Sequence, residues 1–441
     1  MLDKFFGKLT SQQVIIYSFA GMILLGSLLL MLPISSADGT WTPWIDALFT
    51  STSASCVTGL VVYDTATHWS LFGQFIILLL IQIGGLGVVT IAFLLTVLSG
   101  SRITLRQRGL LKDSISGQRV GGIIRMSLFL IRWVVIFEAA GAVALMPVFV
   151  RDFGWGRGIW YSIFHSVSAF CNAGFDLMGI RTQFSSLTAY QADPVVNITV
   201  MALIVIGGLG FYVWKDISDH RFRFGRCSLQ TKLVLITTLI LIVVPGIWLT
   251  LTEYGDLPAS EALLSGFFQS VTTRTAGFNT ADLTTLSGDN QLLMIVLMLI
   301  GGSPGSTAGG MKTTTAAVLI LTMFAVFRRR QNVSVFHRRI SSEVVRTACA
   351  ILTMYLTSFL LAAGLISRLE GIPILTTAFE AASALGTVGL TLGITPTLGT
   401  ISHVILICLM YMGRVGGLTI MYATINEGSD LRYPEEPVSV G

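Results

Sequence analysis

The sequence predicts an all-α integral membrane protein: four tandem helix–pore-loop–helix repeats around one central pore, with eight transmembrane spans and four re-entrant half-helices. Three observations predict it. The 441-residue chain is 53% hydrophobic and only 12% charged, against about 25% charged in soluble domains. Eight long apolar stretches are interleaved with four short ones. A glycine-centred segment recurs four times, its glycines 115, 103 and 112 residues apart.

The long stretches run over about 14–33, 71–99, 122–150, 194–214, 231–252, 291–327, 346–367 and 398–423. Each can cross a hydrocarbon core of about 30 Å. The first follows Lys4 and Lys8 but is read as a span, not a signal peptide, because it exceeds a typical h-region and no A-x-A site follows. The short stretches are 44–55, 159–170, 262–272 and 374–385. At 1.5 Å per residue each reaches only about 18 Å, the length of a half-helix. Such a segment is tolerated at membrane depth only when buried in protein or facing water.

Basic residues orient the chain. Loops 100–125, 215–232 and 328–346 hold 17 of the 28 Lys and Arg residues. The opposite connections carry Asp38, Asp46, Asp64, Asp152, Asp176, Glu253, Asp256 and Asp289. The positive-inside rule makes the basic loops cytoplasmic, and eight spans put both termini inside. The triplet Arg328–Arg330 is thus a topology signal and not a nucleic-acid site. The five cysteines lie far apart and read as free thiols without metal-type spacing.

The four copies align on Gly59, Gly174, Gly277 and Gly389. Each has phenylalanine ten residues earlier (Phe49, Phe164, Phe267, Phe379) and a large apolar residue just after (Leu60, Phe175, Phe278, Leu390). A second glycine cluster follows in step, at Gly84, Gly207, Gly301 and Gly413. The repeats are placed at 1–112, 113–225, 226–340 and 341–441, the last with a cytoplasmic tail. Four loops about one axis make one pore in one chain.

Glycine at each loop permits φ > 0 and turns backbone carbonyls toward an axis free of side chains. The C-terminal ends of the half-helices add partial negative charge, which favours a cation there. Close helix packing by small residues is the rival account of any one copy; four aligned copies favour a cation filter. Its carbonyls are expected around Val57, Thr58, Asn172, Ala173, Thr275, Ala276, Thr387 and Val388.

The second candidate is the run Gly301, Gly302, Ser303, Pro304, Gly305, Ser306, Thr307, Ala308, Gly309, Gly310, Met311, Lys312. As one straight helix, 291–327 would reach about 55 Å, nearly twice the hydrocarbon core. Its glycines and proline predict two half-helices joined by an irregular loop, read as a gate under the filter. A phosphate-binding loop is a poor rival: Met311 stands where lysine is needed and no strand precedes. Arg414 lies in the last span without an acidic neighbour, and intramembrane arginines face cavities or backbone carbonyls. It is expected to bond carbonyls of 301–310, with snorkelling as the alternative. Arg274 is expected to brace the third loop from outside, and His165 to be a packed polar residue. Arg132 and Glu138, about 120° apart on their helix, are given no role. No convergent catalytic group is visible, so an enzyme is not expected.

The four single-glycine loops, the run GGSPGSTAGGMKTTT and the late MGRVGG resemble the Trk/Ktr/HKT superfamily of potassium transporters over essentially the whole chain. The short N-terminus is most similar to the bacterial Ktr-type membrane subunit. The resemblance implies potassium at the filter carbonyls, since glycine in all four loops goes with potassium selectivity there, whereas sodium-conducting relatives carry serine at the first. It implies that 301–312 is the intramembrane gate, with Arg414 contributing. It further implies a homodimer in the bacterial inner membrane, seated on a cytosolic ring of RCK/KTN subunits that bind ATP, ADP or NAD(H). This chain has no G-x-G-x-x-G after a strand, so that ring must be a separate protein, reached through the basic loops and the tail 426–441. The cofactor expected is potassium alone, without an organic group, and nucleic acid is not a partner. Uptake is read as passive or ion-coupled (symport), with sodium dependence left open. A rocking carrier suits four filter loops less well.

Overall fold

The computed structural model describes residues 9–91 except Val89, and 123–424 except Phe222. The boundary expected at 112/113, most of the first basic loop and the tail 426–441 lie outside the described residues.

The four repeats follow one plan. In the first, α1 (Ser11–Met31) starts at a capping box between Thr10 and Gln13 and is followed by the half-helix α2 (Trp44–Cys56) and then α3 (Leu71–Leu86). The second has α4 (Ile123–Phe170), α5 (Pro194–Leu209) and α6 (Phe211–Asp219). The third has α7 (Leu229–Thr252), half-helix α8 (Ala259–Thr272), α9 (Gly288–Leu299) and α10 (Thr313–Phe327). The fourth has α11 (Ser342–Glu370), half-helix α12 (Ile374–Gly386), α13 (Thr400–Val415) and α14 (Gly417–Thr424). A two-stranded hairpin pairs Ser334–Val335 with Arg338–Arg339 on the face of the basic loops. The chain is a multi-pass membrane protein.

Three of the four half-helices begin on proline, at Pro43, Pro258 and Pro373. Proline fixes φ and lacks the N–H that a first turn leaves unpaired. The second half-helix is the C-terminal part of α4, set off from the outer helix by a non-helical break at Gly154, whose φ is 76°.

The inner helices also depart from the straight spans the sequence suggested. α5 and α6 meet at 88°, as do α13 and α14. The bends fall at Gly210 (φ 95°) and Gly416 (φ 88°), and α3 stops at Gly87 (φ 86°). Left-handed backbone ends a right-handed helix, and only glycine takes it without steric cost. Interruption is therefore common to all four repeats, not confined to the third.

The half-helices carry many buried hydroxyls, one of which in each of the first three repeats donates to the outer helix. Ser51 Oγ donates to Ile23 O at 2.7 Å, Ser166 Oγ to Glu138 O at 2.6 Å, and Ser270 Oγ to Ile242 O at 2.7 Å. Phe49, Phe164 and Phe379 are fully buried, as are Leu60, Phe175, Phe278 and Leu390. In the third repeat the fully buried ring is Phe268, while Phe267 packs half-buried against Gly246.

Candidate functional site

Each half-helix runs into its glycine loop through the same turn. The amide of the residue before the glycine donates back into the half-helix: Thr58 to Ser53 O, Ala173 to Ser168 O and Val388 to Ser383 O, all at 2.8 Å, and Ala276 to Thr272 O at 2.9 Å. Ser53 Oγ and Ser383 Oγ also accept from the Gly59 and Gly389 amides at 3.0 Å. With their N–H groups occupied this way, the loops keep carbonyls to offer.

The loops close into a ring. A Cβ added at Gly59 would lie 2.5 Å from Ala173 O, one at Gly174 2.8 Å from Ala276 O, one at Gly277 2.4 Å from Val388 O, and one at Gly389 2.1 Å from Thr58 O. Every glycine thus abuts the carbonyl preceding the next repeat's glycine, in the order one, two, three, four and back to one. All four glycines have φ between 70° and 96°. Sequence reasoning missed a second left-handed position two residues earlier, at Val57, Asn172, Thr275 and Thr387, with φ from 51° to 67°. A β-branched residue at φ > 0 is strained, and such strain concentrates at functional sites. Thr58 Oγ1, Asn172 Oδ1, Thr275 Oγ1 and Thr387 Oγ1 are buried without a hydrogen-bond partner. Unpaired oxygens of this kind are what a cation or its water would satisfy.

The second glycine cluster has a packing reason that its spacing did not disclose. A Cβ at Gly84 would lie 2.1 Å from Ser55 O, at Gly207 2.0 Å from Phe170 O, and at Gly413 2.2 Å from Leu385 O. In each case the partner is the carbonyl four residues before the filter glycine. The inner helix therefore lies backbone to backbone on the end of its half-helix.

Repeat three breaks this pattern. Between α9 and α10 the chain leaves helical form over 300–312. This loop hydrogen-bonds to its neighbours: Thr307 N to Gly207 O at 3.3 Å, Ser303 N to Gly208 O at 3.1 Å, Gly310 N to Gly413 O at 3.2 Å, and Thr307 Oγ1 to Phe170 O at 3.1 Å. Gly309 faces Thr387 so closely that a Cβ there would meet Thr387 Oγ1 at 2.1 Å. The loop thus sits against the half-helix ends, on the side of the ring facing the basic loops. Lys312 Nζ folds back onto Ala308 O at 2.8 Å. Arg414 Nη1 donates to Thr307 O, and its Nη2 to Gly84 O and, at 2.9 Å, to Gly85 O. One guanidinium from repeat four therefore ties the loop to the end of α3.

Arg274 is buried and donates to Thr238 Oγ1 at 3.2 Å, while its carbonyl accepts from Asn172 Nδ2 at 3.3 Å. His165 is buried with Nδ1 2.7 Å from Tyr161 O, and its Nε2 accepts from Leu177 N at 3.2 Å. Glu138 takes Gln82 Nε2 at 3.3 Å, and Arg132 is exposed. Above the ring lies a cavity of about 770 Å³ lined by Asp38, Asp46, Asp64, His68 and His403 among others. Asp64 is a brace, accepting from Ala66 N, Thr67 N and, across repeats, Phe184 N. Burial holds His68 below its ordinary pKa, against the pull of Asp38 and Asp46. Burial, then the hydrogen bond to Asp46, pushes Tyr63 up to about 12.

Four buried half-helices aimed at one ring of backbone carbonyls define a membrane protein of the cation-transport class. The chain belongs to the TrkH family of cation transport proteins, whose family model matches residues 6–430. It is 41% identical to the potassium/sodium uptake protein NtpJ of Enterococcus hirae over 98% of both chains. It is 38% identical to the Ktr system potassium uptake protein B of Bacillus subtilis, over 98% of this chain and 97% of that one. With the Ktr system potassium uptake protein B of Vibrio alginolyticus the identity is 37%, over 97% and 94%. The crystal structure of the potassium transporter TrkH from Vibrio parahaemolyticus shares the fold, with a TM-score of 0.74 at 20% identity over 94% of this chain and 84% of that one. These relatives are cation transporters and not enzymes.

Proposed function

We propose that this protein takes up potassium across the bacterial plasma membrane through one filter per chain, formed by 57–59, 172–174, 275–277 and 387–389. The observation that carries the reading is the closed ring, in which four glycines each abut the carbonyl of the next repeat. Such a ring replaces the hydration shell of a monovalent cation with carbonyl oxygens. Glycine at all four positions favours potassium. The loop 300–312, held by Arg414 and Lys312, is the gate: it lies against the half-helix ends and places two cationic side chains on the cation's path. The basic loops face the cytoplasm, both termini with them, and the acidic cavity faces outward. The repeats meet near 112/113, 225/226 and 340/341. The protein acts as a homodimer with a separate cytosolic nucleotide-binding subunit; the word system in the names of its Ktr relatives supports a separate partner protein.

Sodium alongside potassium is a second reading, favoured by the potassium/sodium uptake protein at 41% identity. The test is growth rescue of a potassium-uptake-deficient bacterium, with and without a cognate cytosolic subunit. It is combined with rubidium and sodium flux in proteoliposomes. Failure of rescue with the subunit present, in cells that carry the protein in the membrane, overturns the potassium reading.

A further inference from the structure

Helix α6 leaves the bend at Gly210, ends at Asp219, and hands over to α7 through the helical turn Phe224–Arg226. That turn brings together three side chains the sequence kept apart. One ligand atom each from Asp216, His220 and Cys227 lies within 4.8 Å of the other two. Asp216 and His220 are one helical turn apart, with His220 Nδ1 3.1 Å from Asp216 Oδ1. Asp216 and Cys227 are buried. The second carboxylate oxygen is fixed from outside the cluster, by Ser228 N at 2.9 Å and Thr231 Oγ1 at 2.5 Å. A metal-bound carboxylate needs such outer support.

The hydrogen bonds that Asp216 accepts from Ser228, the N-cap of α7, and from Thr231, together with the Asp216–His220 pair, account for two of these residues. Neither uses Cys227, whose Sγ makes a weak contact with Arg223 O at 3.6 Å. Carboxylate, imidazole and thiol together form the donor set of zinc and its neighbours, three protein ligands leaving a fourth position to water. Magnesium and calcium take oxygen sets. Burial and the nearby Asp216 hold the Cys227 thiol above its ordinary pKa, so a bound metal must displace the thiol proton to solvent.

We propose that Asp216, His220 and Cys227 bind a zinc-type divalent cation, clamping α6 to the start of α7. The clamp reaches the gate loop through α6 itself. At the other end of that nine-residue helix Phe211 N donates to Gly305 O at 2.7 Å, and a Cβ at Gly210 would lie 2.6 Å from Pro304 O. Fixing the far end of α6 therefore holds the loop against the half-helices and slows flux. The cluster lies on the face of the basic loops, so the clamping half rests on the gate assignment above, while binding does not.

The test titrates the full-length, detergent-purified protein with cobalt(II) as a spectroscopic probe, then with zinc in competition. The expected result is a thiolate-to-cobalt absorption band, bleached by zinc, absent in C227S and weakened at least about tenfold in H220A. C227S leaves the hydrogen bonds from Ser228 and Thr231 to Asp216 in place, so the variant keeps its fold. No band, or a band that survives C227S through the exposed Cys349 or Cys408, overturns the site. Zinc on the cytoplasmic side of proteoliposomes should slow rubidium flux in wild type and not in C227S. Equal slowing in both, or none in either, overturns the clamp even where cobalt binds.

Discussion

Replacing Gly59 by serine tests the ring at its first position. The glycine sits at φ 96°, and a Cβ there would lie 2.5 Å from Ala173 O. Ordinary contact begins near 3.4 Å, so either the Gly59 backbone or the Ala173 carbonyl must retreat by most of an ångström. Left-handed backbone costs a non-glycine residue about 1–2 kcal/mol, and overpacking a tight site costs about 1–3 kcal/mol. The chain as a whole can absorb that. The ring cannot absorb it evenly, because only one of its four sides moves. If 1–3 kcal/mol of differential potassium stabilisation is lost, potassium-over-sodium discrimination falls by about 5- to 150-fold. The assay is competitive flux of rubidium and sodium in proteoliposomes, with monodispersity and thermal stability measured on the same sample. An unchanged flux ratio in folded Gly59→Ser protein would refute the ring as the selectivity element. Equal loss of both fluxes would show a collapsed pore instead of a relaxed filter.

The same geometry sets three further expectations. Arg414→Ala removes the hydrogen bonds that tie Thr307 to the end of α3 and takes a positive charge from under the filter, so resting flux should rise. Arg414→Lys should not restore closure, because an ammonium lacks the guanidinium fork needed to span both carbonyl partners; rubidium efflux without the cytosolic subunit measures both. Gly309→Ala drives a methyl group into Thr387 Oγ1, 2.1 Å away, and should displace the loop and raise flux, whereas an unaltered rate would show that the loop does not gate. His68 has its folded pKa lowered by burial, so protonation disfavours the folded state. Its contribution is present above its ordinary value, about 6.5, and is lost as pH falls below that value. Thermal unfolding followed from pH 8 to pH 5 should show a decline that His68→Gln flattens.

What the sequence disclosed was periodic. A glycine every hundred-odd residues, a short apolar stretch before it and a glycine cluster after it mark the repeat, because each serves a backbone requirement that only a small residue meets. What it concealed was tertiary. Nothing local marks Val57 or Thr275 as left-handed; β-branched residues avoid that region, and the turn is imposed by hydrogen bonds back into the half-helix. The break within α4 was hidden because a glycine, Gly154, stands at the turn where the other repeats have proline. The bends at Gly210 and Gly416 were hidden inside apolar runs that satisfy a span by length alone. Nothing in the sequence joins Asp216, His220 and Cys227, because ten residues with a helical turn among them separate the first from the last.

The departure of repeat three from the others explains why the loop lies where it does. In repeats one, two and four the inner helix approaches its half-helix through one glycine seated on a carbonyl, at Ser55, Phe170 and Leu385. In repeat three the corresponding glycine, Gly301, abuts Gly309 O of its own loop. The space an inner helix would fill is taken by irregular chain, whose amides must find partners, since unpaired backbone at this depth costs several kcal/mol per group. The partners it finds are Gly207 and Gly413, glycines that in the neighbouring repeats pack helix on half-helix, and Gly208 beside the first of them. Their carbonyls are reachable because no side chain covers them. The same small residues that let each repeat close on itself thus provide the surface that receives the loop. On that surface the loop is held by exchangeable hydrogen bonds and by the side chains of Lys312 and Arg414.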